Sequence, residues 1–261
     1  MSPDYVTAQR PCRRSALKAR TGAAAAHGSP VAAEVPVCYD RRGMGTFVHP
    51  TAVVHPNVEL GEGVTVGEYA VVGVPPRGAT PGELLTVVGA GSIIRSHTVI
   101  YAGNQIGERF QTGHATMIRE FNRIGDDVSI GTHSVIEHHV EIGHAVRIHT
   151  GAFIPEYSVL EDEAWIGPHV VFTNALHPRC PRAKDCLRGP RIRRGAKIGA
   201  NATVLPDLEV GEMALVGAAS VVTHDVPARA VVAGNPARVV RSIDLLTCPY
   251  KLMATPYEDP A

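Results

Sequence analysis

Histidines carry the most distinctive chemistry in this sequence. Thirteen occur among 261 residues, and eight of them lie between positions 97 and 169. Glu120, His138, Glu156 and Asn174 follow one another at intervals of 18 residues. If the chain returns to the same place at that interval, the histidine lies between two carboxylates, which can fix its tautomer and let it act as a general base. The spacing therefore predicts catalytic roles for His138, Glu120 and Glu156, with Asn174 among the substrate-binding residues.

Two further histidines are candidates for binding a substrate. His133 and His114 fall near one corner of the same repeat, in a column separate from that of His138. The simpler interpretation of any single histidine is an exposed side chain without a chemical role, because the corners of a repeat face solvent. That interpretation is kept for His139, His144 and His149.

An apolar residue at every sixth position predicts the elements that hold these side chains. The series covers 48 to 72, 88 to 172 and 192 to 222, and of its 26 positions only Thr112 is polar. Hydrophobic residues make up 44% of the composition, so an unrelated sequence would leave over half of the series polar. The period is therefore a structural constraint.

Short strands joined by tight corners satisfy this period, whereas the 3.6-residue period of a helix does not. Three strands would form one triangular coil of about 18 residues, with each apolar residue directed into the axis and the next coil stacked at roughly 4.8 Å. Glycine often follows the apolar residue, where the absence of a Cβ eases the corner. The sequence therefore predicts an all-β, parallel β-helix.

Interruptions of the period divide the chain. Residues 1–44 lack it and are rich in Ala, Arg and Pro, so they are predicted to form a flexible or loosely packed extension. The β-helix domain is predicted over 45–223, with loops at 73–87 and 173–191 that leave and re-enter the repeat. Residues 224–261 are predicted to be a cap and tail, since an uncovered last coil would expose strand edges.

Composition argues against several classes of protein. Lys and Arg number 25, and Asp and Glu also number 25, so the net charge of zero disfavours a nucleic-acid binder. No apolar run approaches the length of a membrane span. Five cysteines without a CxxC pair favour a reducing compartment over a disulfide scaffold, and a cytoplasmic location is predicted. No metal cofactor is expected.

Small residues in the later repeats form a second candidate site. Gly199, Ala200, Gly217 and Ala218 are predicted to stack on successive coils and leave a shallow strip without long side chains. A thin ligand with amide groups, such as a pantetheine arm, can lie on such a strip and bond the backbone. Basic residues clustered over 179–197 would favour phosphates nearby.

The later part of the chain resembles a known family. WIGPHVVFTNALHPR and RRGAKIGANATVLPDLEVGEMALVGAASVVTHDVPARAVVAGNPARVV are similar to the C-terminal half of hexapeptide-repeat N-acetyltransferases that act on nucleotide-linked amino sugars, and DLLTCP is similar to their tail. IEHHVEIG resembles the catalytic-histidine segment of sugar-nucleotide acyltransferases, which places His138 at their general base. THSVIE places His133 where the amino-sugar enzymes carry a polar residue facing the acceptor. The resemblance is specific over 130–250 and more generic over 46–130.

The resemblance implies a left-handed parallel β-helix and a homotrimer with active sites between subunits. It also implies acetyl-CoA, or another acyl-CoA, between adjacent prisms and an amino-sugar acceptor. Pro168 and Arg238 lie in the matching segments and join the small-residue strip as expected coenzyme contacts. The expected reaction is direct N-acyl transfer, in which His138 takes the amine proton while Glu120 or Glu156 holds its ring.

Three alternatives remain open. The spacing of His133 and His138 would allow a zinc site shared between subunits, as in the gamma-class carbonic anhydrases, although His114 lies near the wrong corner to be the third ligand. The first loop, PPRGATPGE, resembles one in O-acyltransferases of the lipid A type, which would make a sugar oxygen the acceptor. A non-catalytic scaffold would assemble partners and bind no coenzyme.

Overall fold

The computed structural model of the chain describes residues 45–257, so the extension predicted at 1–44 and residues 258–261 lie outside the described part. Short 3-10 helices cover Ala183–Cys186 and Ile243–Leu245. The strands of the described part are β1 (Phe47–Val48), β2 (Val53–Val54), β3 (Val58–Leu60), β4 (Thr65–Val66), β5 (Val71–Val74), β6 (Thr86–Val88), β7 (Ile93–Ile94), β8 (Val99–Tyr101), β9 (Gln105–Ile106), β10 (Gln111–Thr112), β11 (Met117–Ile118), β12 (Arg123–Ile124), β13 (Ser129–Ile130), β14 (Val135–Ile136), β15 (Glu141–Ile142), β16 (Arg147–Ile148), β17 (Phe153–Ile154), β18 (Val159–Leu160), β19 (Trp165–Ile166), β20 (Val171–Phe172), β21 (Arg191–Ile192), β22 (Lys197–Ile198), β23 (Thr203–Val204), β24 (Glu209–Val210), β25 (Leu215–Val216), β26 (Val221–Val222), β27 (Ala230–Ala233) and β28 (Arg238–Ser242).

From β1 to β26, every third strand belongs to the same sheet. Sheet A contains β1, β4, β7, β10, β13, β16, β19, β22, β25, β27 and β28; sheet B runs from β2 to β26 and sheet C from β3 to β24 in steps of three. Strands of residues 45–257 pair in parallel, as where Ile136 lies beside Ile154, except that β28 pairs antiparallel with β27. Three strands therefore make one coil, and the prediction of an all-β, parallel β-helix is confirmed.

The apolar residues of the six-residue series form the axis of the β-helix. Ile94, Ile118, Ile136 and Ile154 are each 0% exposed. Burying one such side chain stabilises the fold by about 1.5–3 kcal/mol. Val48, in the first coil, is 39% exposed because, within the described residues, another coil stacks on it from one side only.

The one polar member of the series is satisfied inside the axis. Thr112 is 2% exposed. Its hydroxyl oxygen accepts a hydrogen bond from Arg95 N at 2.9 Å and lies 3.1 Å from the hydroxyl of Thr98. Because a buried hydroxyl is costly only when it lacks partners, the polar residue does not interrupt the stack.

Buried amides fix the corner that carries His138. Asn104 Oδ1 accepts a hydrogen bond from Asn122 N at 2.9 Å, and Asn122 Oδ1 accepts one from Val140 N at 2.7 Å. The corner itself passes through the left-handed region, with a φ of +57° at His139. This amide ladder ties successive coils together directly beneath the exposed side chains of the corner.

The chain leaves the repeat twice, and a hairpin follows its last coil. The chain departs between β5 and β6 and again between β20 and β21. After β26, strands β27 and β28 form a hairpin that extends sheet A. The guanidinium of Arg229 binds the carboxylate of Asp244 beside it, and Ile243 is 1% exposed. Helices of the described part are all too short and too polar to cross a bilayer.

Candidate functional site

Two edges of the β-helix carry the predicted site residues. The BC edge is the set of turns between sheets B and C, and it includes 119–122, 137–140 and 155–158. The AB edge is the set of turns between sheets A and B, and it includes 113–116, 131–134, 167–170, 199–202 and 217–220.

His138 lies on the BC edge beside Glu156. Its Nε2 atom is 3.6 Å from Glu156 Oε1, and both side chains are 24% exposed. The other oxygen of this carboxylate accepts a hydrogen bond from Asn174 Nδ2 at 2.6 Å. Asn174 therefore holds the carboxylate that faces the imidazole, and the 18-residue column brings these three residues together.

Glu120, one coil before His138, is occupied by a different partner. Its two oxygens each accept a hydrogen bond from Arg119, both at 2.9 Å. Burial is the largest single influence on the pKa of Glu120 and raises it, but the hydrogen bonds from Arg119, a backbone hydrogen bond and the charges of Arg119 and His138 together leave the pKa below its usual range. Glu120 thus anchors Arg119, and Glu156 is the carboxylate within ion-pair distance of the His138 ring.

Glu137 is a neighbouring carboxylate that the sequence analysis did not select. Arg119 Nη1 donates a hydrogen bond to its Oε2 at 3.2 Å. Burial raises the pKa of Glu137 above its ordinary value, and the charge of Glu156 acts in the same direction. The sequence places Glu137 18 residues after Arg119, and that spacing predicts that the two side chains lie on neighbouring coils.

His139 also belongs to this cluster. Its Nδ1 atom lies 2.9 Å from Nδ1 of His138. Since a hydrogen bond needs one donor and one acceptor, one of these two nitrogens carries the proton. When His138 is the donor, its Nε2 atom keeps the lone pair. At 3.6 Å from Glu156 this nitrogen is beyond hydrogen-bond distance, so it is free to accept a proton.

His133 and His114 lie on the AB edge, away from His138 in the same chain. His133 N donates to the carbonyl of His114 at 3.0 Å, which places the two on successive coils. The ring of His114 is held by Ser96, whose hydroxyl is 2.7 Å from Nδ1. His133 and His138 therefore lie on different edges of the β-helix.

The predicted small-residue strip also lies on the AB edge. Ala219 N donates to the carbonyl of Ala200 at 2.8 Å, and Asn201 N donates to that of Pro168 at 2.9 Å. A Cβ added at Gly199 would lie 2.5 Å from Ala218 N, so the coils approach too closely for a larger residue. The strip therefore carries only small side chains over its last coils, where Gly217 lies beside Ala233, the strand partner of Arg238.

Part of the basic cluster is neutralised. Arg193 bridges Glu161 and Glu209, each at 2.6 Å, and Arg194 binds Glu212. These two arginines stabilise the last coils rather than offering free charge.

Residues 45–257 contain no group of three or more His, Cys, Asp or Glu side chains that could hold a metal ion.

Similarity to known proteins covers part of the chain. No protein-family model matches it. It is 39% identical over 79 residues to 2,3,4,5-tetrahydropyridine-2,6-dicarboxylate N-acetyltransferase of Clostridium perfringens, covering 30% of this chain and 31% of that protein. It is 46% identical over 57 residues to serine acetyltransferase 2 of Arabidopsis thaliana, covering 22% and 18%. The chain thus spans less than a third of the length of these curated relatives.

Among solved structures, the polySia-specific acetyltransferase NeuO aligns with 74% of this chain and 88% of its own, at 17% identity and a TM-score of 0.49. A serine acetyltransferase in complex with CoA aligns with 44% of this chain and 42% of its own, at 34% identity and a TM-score of 0.32.

Proposed function

We propose that this chain is a hexapeptide-repeat acyltransferase that moves the acyl group of acyl-CoA, acetyl in the first instance, to the amine of an amino sugar, including nucleotide-linked ones. The observation that carries the proposal is the position of His138. Its Nε2 atom is accessible on an edge, faces Glu156 at 3.6 Å and belongs to a ring held at Nδ1 by His139. Support comes from the similarity of a 79-residue segment to named N-acetyltransferases.

The proposed reaction is a single displacement. The amine nitrogen attacks the thioester carbonyl, a C–N bond forms, and the C–S bond breaks as the coenzyme leaves as its thiol. His138 Nε2 accepts the amine proton and returns it to the sulfur, and the Glu156 carboxylate stabilises the intervening imidazolium. General-base assistance contributes about 10²- to 10⁴-fold, and positioning of the two substrates supplies much of the rest.

The site requires a second copy of the chain. His138 lies on the BC edge and the small-residue strip on the AB edge, so sheet B separates them. Seven successive outward side chains of sheet B form an apolar column, which Thr203 and Val221 then continue: Val53, Val71, Val99, Met117, Val135, Phe153 and Val171. Met117, Phe153 and Val171 are 36–39% exposed in the single chain. We propose a homotrimer that covers this column and places the coenzyme of one copy beside His138 of its neighbour.

A charge on sheet B is expected to dissociate the trimer. Phe153→Glu would bury a carboxylate without a partner and should weaken association at least about a hundredfold. Analytical ultracentrifugation over a range of concentrations measures the change. Val159→Glu is the matched control, since Val159 points outward from sheet C. A monomeric native protein, or a trimer that survives Phe153→Glu, would contradict the assembly.

Acyl transfer itself is tested with acetyl-CoA and a panel of amino sugars, free and nucleotide-linked. Free coenzyme thiol should appear only when an amino sugar is present, and mass spectrometry should find one added acetyl group. An alkali-stable product identifies an amide, whereas an alkali-labile one identifies an ester and the O-acyltransferase alternative. Thiol release that ignores the acceptor, or none at all, would overturn the proposal.

A further inference from the structure

Three aromatic rings form a column on the BC edge. Phe121, His139 and Tyr157 occupy the same position in successive coils, with ring centroids 5.2 Å apart for the first pair and 5.7 Å for the second. Phe121 is 41% exposed and Tyr157 is 44% exposed. These stacked rings present an apolar surface that residues 45–257 leave uncovered.

The backbone beneath these rings is strained. Their φ angles are +61°, +57° and +65°, in the left-handed region that side chains rarely adopt. Gly103 precedes the column, with a φ of +86°, and a Cβ there would lie 2.8 Å from Phe121 Cδ1. The glycine therefore allows the ring of Phe121 to lie flat against the preceding coil.

A cavity of about 500 Å³ opens beside the column on its sheet C side. Phe121 and His139 form its aromatic wall. Gln105, Arg123 and Glu141 form its polar wall, and they are partners in register on three neighbouring strands. Within residues 45–257 these three polar side chains make no hydrogen bond or ion pair with one another or with other side chains. Their donors and acceptors are available to a ligand.

We propose that this cavity is the subsite for the pyranose ring of the acceptor. The apolar face of the sugar would stack on Phe121 and His139, and its hydroxyl groups would bond Gln105, Arg123 and Glu141. This inference rests on the proposed function, because the transfer reaction is what requires the amine of the sugar to lie close to His138. The His138 ring lies 4.9 Å from that of His139 and 6.0 Å from that of Tyr157, so an amine at the rim of this subsite reaches the base.

The mixed polar wall favours a sugar ring over other flat ligands. Hydroxyl groups both donate and accept hydrogen bonds, and a carboxylate, an amide and a guanidinium together satisfy both roles. For a phosphate at this wall, repulsion by Glu141 would oppose the attraction of Arg123. The volume suits a small ligand, since such sites commonly enclose about 300–1,000 Å³.

Phe121→Leu tests the subsite through the acceptor. The variant keeps an apolar side chain but removes the stacking surface, so the acceptor KM should rise about two- to tenfold while kcat and the acyl-CoA KM stay near native values. Phe121→Tyr, which keeps the ring, should restore the native KM. Tyr69→Leu is the matched control. Tyr69 has a φ of +55°, is 58% exposed and stacks on His97 at 5.2 Å, but it lies on the AB edge.

Binding of glucosamine, followed by proton NMR, gives a readout that does not need catalysis. Saturable shifts are expected for the ring protons of Phe121 and His139, which line the cavity, and none for Tyr69. If those shifts appear and no acyl transfer is found, the subsite stands and the proposed reaction fails. If acyl transfer occurs while Phe121→Leu leaves the acceptor KM unchanged, or if Tyr69 shifts as much as the column, the subsite is wrong.

Discussion

Replacement of His138 by asparagine is expected to lower kcat for acyl transfer at least about tenfold, because the amide cannot accept the amine proton. The side chain is 24% exposed and outside the buried axis, so the free energy of unfolding should change by no more than about 0.5 kcal/mol. Steady-state kinetics with acetyl-CoA and thermal unfolding of the same preparation measure the two effects. The separation of activity from stability is what identifies a chemical role.

The chain contains a matched control for this substitution. His144 Nδ1 also lies 3.6 Å from a carboxylate oxygen, that of Asp126, but its side chain is 63% exposed and it lies between sheets C and A. His144→Asn removes a histidine–carboxylate contact, together with a hydrogen bond from Asp126 N, at an edge without the proposed site, and kcat should remain native. Unchanged turnover in His138→Asn, or an equal loss in His144→Asn, would remove His138 from the role of base.

The sequence predicted the stacking because burial fixes the register. A shift of one residue would turn Ile136 and its equivalents out of the axis, so positions 18 residues apart must become neighbours. This is why the contact of His138 with Glu156, and of Glu156 with Asn174, could be anticipated from spacing.

Spacing does not give the direction of side chains within a corner. Glu120 has the same spacing from His138 as Glu156, yet its oxygens face its sequence neighbour Arg119. The sequence predicts His139 as a surface residue, and its side chain is exposed, but its Nδ1 atom also lies 2.9 Å from that of His138. Such contacts between adjacent residues depend on local dihedral angles, which a six-residue period does not specify.

The residues of the apolar column on sheet B are visible in the sequence, but the sequence alone does not show that they share one face of the β-helix. Its members precede the buried series by one residue, as Phe153 precedes Ile154. The equivalent positions on sheet C include Gln105, Arg123 and Glu141. The assignment of strands to sheets is what separates the apolar face of sheet B from the polar face of sheet C. Once the faces are known, the two edges that carry the site residues are seen to lie on either side of the apolar face, and this arrangement suggests an assembly through sheet B.

The largest expected loss of stability follows removal of an aromatic ring from the axis. Phe172 is 0% exposed and lies at the end of β20, where the chain leaves for the second loop. Phe172→Ala would leave a cavity between stacked coils that branched neighbours fill incompletely, and should lower the free energy of unfolding by about 3–5 kcal/mol. Urea unfolding at a fixed protein concentration measures the loss.

Leu176→Ala serves as the control for that measurement, because Leu176 is 57% exposed in the loop and its truncation should cost no more than about 0.5 kcal/mol. The comparison also connects the axis to the site. Asn174, two residues beyond Phe172, donates to the Glu156 carboxylate that faces His138. A loosened coil at Phe172 should therefore reduce kcat below the unfolding transition, whereas equal stability of the two variants would contradict the packing argument for the axis.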